Sequence, residues 1–93
     1  MFGEEEVVMA AVREDFSAAL NAVFAEAERL GLTFIGITAG ALHRRVGGYP
    51  GEDHRMPVCC DVMRGAMRND DSIVAQPPKG YGASLLIHYS LPR

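Results

Sequence analysis

The stretch that most constrains the fold of this chain is residues 37–67, ITAGALHRRVGGYPGEDHRMPVCCDVMRGAM. Two short segments in which apolar residues recur at helical spacing flank a turn rich in glycine and proline. Thr38 is placed to N-cap the first segment, 39–46, and Pro57 suits the first position of the second segment, 57–68. The stretch therefore predicts two helices that pack their apolar faces on one core.

These two helices are expected to turn basic side chains away from that core. On the first helix, Ala39, Leu42 and Val46 share the apolar face, whereas Arg44 points away from it. His43 and Arg45 flank that face on either side, and Cys60 lies at the margin of the apolar face of the second helix. On the second helix the apolar set is Val58, Cys59, Val62, Met63, Ala66 and Met67, and the opposite set is Pro57, Asp61, Arg64 and Arg68.

Residues 4–30 predict a long helix with a broad apolar face. Three glutamates at its start suit the positive end of the helix dipole, and Gly31 is placed for a C′ cap. The face is too wide for one narrow contact, so the helix either packs a homodimer as well as its own domain or covers only the core of a monomer. The apolar stripe is Met9, Val12, Phe16, Ala19, Val23, Ala27 and Leu30, widened by Val7, Val8, Leu20 and Phe24.

Three other segments predict short strands. Residues 32–38 are β-branched and aromatic, and residues 72–75 are also expected to form a short strand. Residues 83–91 alternate apolar and polar, although Leu86 interrupts the alternation. The segment 76–82, QPPKGYG, is expected to be an exposed loop because its paired prolines lack the amide donors of a strand. The expected inward set is Ile35 and Ile37 on the first strand and Leu85, Ile87, Tyr89 and Leu91 on the last.

This order of helix, strand, helix, turn, helix, strand, loop and strand resembles the winged helix-turn-helix family over nearly the whole chain. The resemblance implies an α+β fold in which three helices and a small antiparallel sheet form a single domain over residues 1–93. It also implies that helix 57–68 is the recognition helix, which enters the major groove of DNA, and that loop 76–82 is the wing. The stretch between the two central helices, 47–56, is longer than the tight turn typical of that family.

The charge of the chain is unevenly distributed. The overall net charge is −3, with 48% hydrophobic and 23% charged residues, a composition typical of a globular domain. Residues 1–30 carry seven acidic residues against two arginines, a net of −5. The remainder carries seven basic residues against five acidic ones, a net of +2, so the positive potential is expected in the second part.

The basic residues of the second part predict a surface for double-stranded DNA. Arginine suits bidentate contact with guanine, so Arg64 and Arg68 are candidate base readers. Lys79 and Tyr81 would lie on the wing, near the sugar–phosphate backbone. The alternative is that these are ordinary solvated residues, some of them paired with Asp61 or Asp70. The candidate DNA-binding set is Arg44, Arg45, His54, Arg55, Arg64, Arg68, Lys79 and Tyr81.

The cysteines and histidines suggest neither a metal site nor an enzyme. Cys59 and Cys60 are adjacent, so on a helix they point about 100° apart and are poorly placed to bind one zinc ion together with His43 and His54. A Cys60 nucleophile with His54 or His43 as its base lacks a recognisable oxyanion hole or catalytic motif. We therefore expect no catalytic residues, no metal and no cofactor.

The sequence favours a small DNA-binding protein, a regulator that forms a homodimer through helix 4–30. The alternative is a protein–protein interaction module, or a small inhibitor or accessory subunit, that uses the acidic N-terminal helix to bind its partner. The chain shows neither an apolar run of membrane-spanning length nor a signal sequence, and its two adjacent cysteines offer no disulfide framework. A cytoplasmic location is therefore expected.

Overall fold

Three helices and a three-stranded antiparallel sheet form the described part of the computed structural model, which covers residues 12–47, 49 and 55–93. The predicted order of elements is confirmed over this part. His54, the first residues of helix 4–30 and most of the turn 47–56 lie outside it. In chain order the elements are α1 (Arg13–Arg29), β1 (Phe34–Thr38), α2 (Ala39–Val46), α3 (Met56–Gly65), β2 (Ser72–Ala75) and β3 (Leu86–Ser90).

The sheet places β3 in the centre, with β1 and β2 at its edges. Thr38 pairs with Leu86 and Phe34 with Ser90, so β1 and β3 match over their full length. The predicted inward set of β3 is confirmed, since Leu85, Ile87, Tyr89 and Leu91 are all buried. Leu86 turns to the opposite face of the sheet, where its side chain lies beside Gly36. A bulge between Ile73 and Ala75 interrupts the pairing of β2 with β3.

Helix α1 packs on this sheet through a stripe that is shorter than the sequence predicted, although Ala19 and Val23 also pack against the core as expected. Val12 and Leu30, two predicted members of the stripe, are 53% and 78% exposed because they stand at the two ends of the helix. The buried residues of α1 are Phe16, Leu20, Phe24 and Ala27. None of the helices in the described ranges is long and apolar enough to span a membrane.

The end of α1 confirms the predicted role of Gly31. Its φ of +80° places it in the left-handed region, which glycine adopts without steric cost. The amide of Gly31 donates to the Glu28 carbonyl at 2.9 Å, and the amide of Leu32 donates to the Ala27 carbonyl at 3.0 Å. These two bonds form a Schellman motif, which turns the chain directly into β1.

Helix α2 has the predicted bounds and the predicted cap. The hydroxyl of Thr38 accepts from the amide of Ala41 at 3.2 Å, which satisfies one donor of the first turn. The amide of Gly40 donates to the carbonyl of Ala83 at 3.0 Å. A Cβ at position 40 would lie only 3.0 Å from the Ala83 side chain, so glycine allows α2 to approach the start of the last strand.

Helix α3 is shorter than the predicted helix 57–68. It begins at Met56, which places Pro57 at the second helical position, and it ends at Gly65. Arg68 therefore lies in the turn after the helix and does not share a helical face with Asp61 and Arg64. The apolar pattern of the sequence continues through Ala66 and Met67. The helix nevertheless stops at Gly65, because residues that follow it in the chain bind the backbone at its end.

Those contacts come from Asp71 and Arg93. The Asp71 carboxylate accepts from the Arg68 amide at 2.7 Å and from the Ser90 amide at 2.7 Å. The Arg93 guanidinium donates to the Ala66 carbonyl and pairs with Asp71 at 2.9 Å, and both side chains of that pair are almost fully buried. This pair fixes the end of α3 against the sheet.

Four further contacts attach this pair and α3 to the rest of the fold. The Tyr89 hydroxyl donates to the Met63 carbonyl at 2.8 Å, which joins β3 to α3 inside the core. The Arg93 guanidinium carbon lies 4.6 Å from the centre of the Phe24 ring and 5.1 Å from that of Tyr89. The Arg93 amide also donates to the Glu28 carboxylate at 2.8 Å, so α1, α3 and β3 are held together at one point.

Candidate nucleic-acid interface

The loop 76–82 has a defined shape. The amide of Gly80 donates to the Pro77 carbonyl at 3.0 Å, and Gly80 has a φ of +87°. Pro77 is buried and packs on Gly82, where a Cβ would lie 3.1 Å from the proline ring. Lys79 and Tyr81 are exposed, so the loop presents a cation and an aromatic ring to solvent.

Arg64 attaches this loop to α3. Its Nη2 atom donates to the Gly80 carbonyl at 2.5 Å and to the side-chain oxygen of Gln76 at 3.2 Å. Its guanidinium carbon lies 5.6 Å from the centre of the Tyr81 ring. One end of the Arg64 guanidinium is thus bonded to the loop. Arg64 therefore holds the loop in position, in addition to the outward orientation predicted for its side chain.

A shallow groove of about 270 Å³ continues from the loop to the start of α3. It is lined by Tyr49, Met56, Pro57, Tyr81, Gly82 and Ala83. The guanidinium carbon of Arg44 lies 5.3 Å from the centre of the Tyr49 ring. The Arg44–Tyr49 pair, the groove and the Arg64–Tyr81 pair thus form a row from α2 to α3. We call this row, together with Lys79, the helix–loop surface; its residues are Arg44, Tyr49, Pro57, Arg64, Lys79 and Tyr81.

The other predicted DNA contacts among the described residues are not part of this surface. Arg45 forms an ion pair with Glu26 of α1 at 2.6 Å, and both side chains are more than 40% exposed, so the pair adds little stability. Arg68 lines a groove beside Asn21 and Glu28 of α1. Arg55 is exposed at the N-cap of α3, and its amide donates to Nε2 of His43 at 2.9 Å.

Asp61 is the exposed acidic residue of α3. It lies on the outward side of the helix and lines a groove with Arg13 and Ser17 of α1. The exposed residues of α3 are Pro57, Asp61 and Gly65, and Arg64 is partly buried. The outward face of α3 therefore carries one carboxylate and few side chains suited to reading bases.

The cysteines and His43 are parts of the core. Cys60 is fully buried, not marginal as the sequence suggested, because the end of the loop covers it: its Sγ donates to the Gly82 carbonyl at 3.5 Å. The Cys59 Sγ donates to the Ala39 carbonyl at 3.5 Å, and His43 is 1% exposed. Burial, with a smaller effect from Cys60, raises the pKa of the Cys59 thiol to about 12, which keeps it protonated and unreactive at neutral pH. The described residues contain no group of three or more side chains placed to hold a metal ion.

Several residues of this arrangement were not singled out from the sequence. Gln76 and Gly80 anchor Arg64, and Tyr49 supports Arg44. These contacts join residues that are distant in the chain, so no local pattern indicated them. Comparison with protein-family models, with curated proteins and with solved structures found no match. The geometry of the helix–loop surface is therefore the basis for a functional proposal.

The attachment of the loop can be tested by proteolysis. In an Arg64→Ala variant we expect trypsin to cleave after Lys79 about 10-fold faster than in the wild type, because a hydrogen bond from a charged group contributes roughly 1.5–3 kcal/mol to closing the loop. Mass spectrometry of the first fragments would identify the cleaved bond. Arg29→Ala, which removes an exposed arginine of α1, serves as the control and should leave this rate unchanged. Equal rates in wild type and Arg64→Ala would show that Arg64 does not hold the loop.

Proposed function

We propose that this chain is a small winged helix-turn-helix protein that binds double-stranded DNA through the helix–loop surface and acts as a regulator. In this proposal α3 faces the duplex and loop 76–82 is the wing. The order β1–β3–β2, with the loop between the antiparallel strands β2 and β3, supports this arrangement. The predicted homodimer through helix 4–30 remains part of the proposal.

The observation that carries the proposal is the row formed by the Arg44–Tyr49 pair, the groove and the Arg64–Tyr81 pair. It relates Arg44 and Arg64 to the ring of Tyr81, and Lys79 is exposed on the same loop as that ring. Dispersed cations suit phosphate contact, and an exposed tyrosine next to a lysine suits the sugar–phosphate backbone. Because α3 offers few base-reading side chains, the binding is expected to depend on phosphate contacts and to discriminate weakly between sequences.

The acidic first helix gives less support to the protein-interaction alternative. Of the four acidic residues that the structure describes on α1, Glu26 pairs with Arg45, and Glu28 accepts from the Arg93 amide. Asp15 accepts from the amide of Val12 at 2.9 Å and so caps the helix. These carboxylates have structural partners within the chain, which leaves Glu14 to contribute most to an acidic surface of α1.

The direct test is titration of a labelled random-sequence duplex, followed by fluorescence anisotropy at about 50 mM salt. An Arg44→Ala/Lys79→Ala double variant should bind about 10- to 100-fold more weakly, because each lost phosphate contact means that roughly one fewer counterion is released from the DNA on binding. The matched control, Arg29→Ala/Arg68→Ala, removes the same charge from residues outside the helix–loop surface and should change affinity only slightly. Absence of binding by the wild type, or equal losses in both double variants, would contradict the proposal.

A further inference from the structure

Within residues 12–47, 49 and 55–93, no strand pairs with the second edge of β1. The Leu91 amide donates to the Thr33 carbonyl at 2.8 Å, and the Ala39 amide donates to the Leu85 carbonyl at 2.9 Å. In an antiparallel ladder, alternate residues direct their amides and carbonyls to opposite sides. The odd-numbered residues of β1 therefore bond to β3, whereas Phe34 and Gly36 direct their amides and carbonyls to this second edge.

This edge lacks the features by which sheet edges usually avoid pairing. Its sequence, FIGIT, contains no charged residue and no proline, and its pairing with β3 is regular. The opposite edge differs, since β2 carries a bulge and is followed by Pro77 and Pro78. Phe34 is 53% exposed on the outer face of the sheet, where its ring centre lies 4.8 Å from that of His88. An apolar strand, whose outward amides and carbonyls pair with no other described strand, is thus available for another chain.

A groove of about 520 Å³ runs beside the same strand, between α1 and α2. Apolar side chains line most of it: Val23, Ile35, Ile37, Ala41 and Leu42. Arg44 and Arg45 line it as well, and their guanidinium groups attract carboxylates. Glu26 pairs with Arg45, so Arg44, Arg45 and Glu26 together carry a net charge of +1. This positive charge complements an acidic partner.

From these observations we infer that the β1 edge and its groove bind an extended segment of a partner protein, with apolar side chains at alternate positions and a carboxylate beside them. The segment would add a fourth strand to the sheet. Its main chain would pair with Phe34 and Gly36, its inward apolar side chains would fill the groove, and its carboxylate would meet Arg44 and Arg45. The β1 edge and its groove share only Arg44 with the helix–loop surface, and the inference does not depend on DNA binding.

The probe is a labelled, acetylated peptide with valine at alternate positions, threonine between them and two glutamates at one end. We expect saturable binding to the full chain, with slower amide hydrogen exchange at Phe34 and Gly36 and little change at Ile35 and Ile37. Backbone N-methylation of one alternate set of peptide residues should weaken binding about 10-fold or more, because it removes the main-chain donors. Replacing the two glutamates by lysine should weaken it as well.

Ala41→Glu is the discriminating variant, since Ala41 is an exposed groove residue on α2 and is not part of the helix–loop surface. It places a carboxylate in the groove and should weaken peptide binding at least about 10-fold through charge repulsion and bulk. Ala18→Glu, at an exposed position of α1 that does not line the groove, is the matched control and should bind normally. Circular dichroism would verify that both variants fold.

Three outcomes would overturn the inference. The first is absence of peptide binding. The second is peptide binding that is weakened neither by N-methylation of the peptide nor by the Ala41→Glu substitution in the protein. The third is a doubled mass of the free protein that returns to the monomer mass in Ala41→Glu, since the groove would then hold a second copy of this chain.

Discussion

Replacing Arg93 by alanine is expected to lower the free energy of unfolding by about 3–5 kcal/mol, the usual loss when one member of a buried ion pair is removed. The Arg93 guanidinium pairs with Asp71 at 2.9 Å, and the side chains are 7% and 0% exposed, respectively. The variant leaves the Asp71 carboxylate buried without its cation. It also removes the contacts of the guanidinium with Phe24 and Tyr89 and with the end of α3.

Urea denaturation of wild type and variant would measure this loss. Arg29→Ala is the control, because it removes an exposed arginine and should change the unfolding free energy by less than about 0.5 kcal/mol. An Arg93→Ala/Asp71→Asn double variant should lose less than the sum of the two single losses, by about 0.5–3 kcal/mol, because the two residues are coupled. Additive losses, or a loss no greater than that of Arg29→Ala, would show that the pair does not stabilise the fold.

The pH dependence of stability provides a check on the same pair. Burial by itself would raise the pKa of Asp71, but hydrogen bonds from the Ser90 and Arg68 amides and from Arg93 outweigh it and lower that pKa below its usual value. Because the folded-state pKa is the lower one, the ionised carboxylate stabilises the fold above the unfolded-state pKa of about 3.9. This stabilisation is lost as the pH falls through the folded-state pKa, and Asp71→Asn should reduce the acid sensitivity.

Replacing Asp61 by lysine is expected to strengthen DNA binding by about 10- to 100-fold at about 50 mM salt. The carboxylate of Asp61 is exposed on the outward side of α3, where it repels phosphate if α3 faces the duplex. The substitution removes this repulsion and adds a cation at the same position. A gain of affinity is informative because misfolding or general damage cannot produce it.

Glu14→Lys is the matched control for this gain. It makes the same change of net charge at an exposed position in the first turn of α1, which is not part of the helix–loop surface. Long-range attraction by net charge alone would strengthen DNA binding equally in both variants. A larger gain in Asp61→Lys, measured by anisotropy with the same duplex, is expected if α3 lies against DNA; equal gains would place the contact elsewhere.

Local sequence patterns predicted the elements well because each element depends on its own residues. Thr38 caps α2, Gly31 ends α1, and the alternation from Leu85 to Leu91 places one face of β3 in the core. Paired prolines likewise indicated the loop that follows β2. Capping chemistry and apolar periodicity act within a few residues, so both can be read directly from the sequence.

The errors arose where a distant residue decides the local structure. The apolar pattern of α3 continues to Met67, but the carbonyl of Ala66 is bonded to Arg93 and the amide of Arg68 to Asp71, so the helix ends at Gly65. The attachment of Arg64 to the loop was likewise not predicted, because it joins an α3 residue to the distant Gly80. Of the candidate site, the sequence therefore indicated the cations but not the contacts that bring some of them together.

The most direct test of DNA binding by the helix–loop surface is the salt dependence of the affinity, measured from about 50 to 200 mM salt. The slope of the logarithm of the binding constant against the logarithm of the salt concentration reports the number of phosphates that the protein neutralises. This slope should become shallower by about 2 in Arg44→Ala/Lys79→Ala and steeper by about 1 in Asp61→Lys. Arg29→Ala/Arg68→Ala should keep the wild-type slope. Equal slopes in all four proteins, or a slope that falls as much in the control as in Arg44→Ala/Lys79→Ala, would contradict DNA binding by this surface.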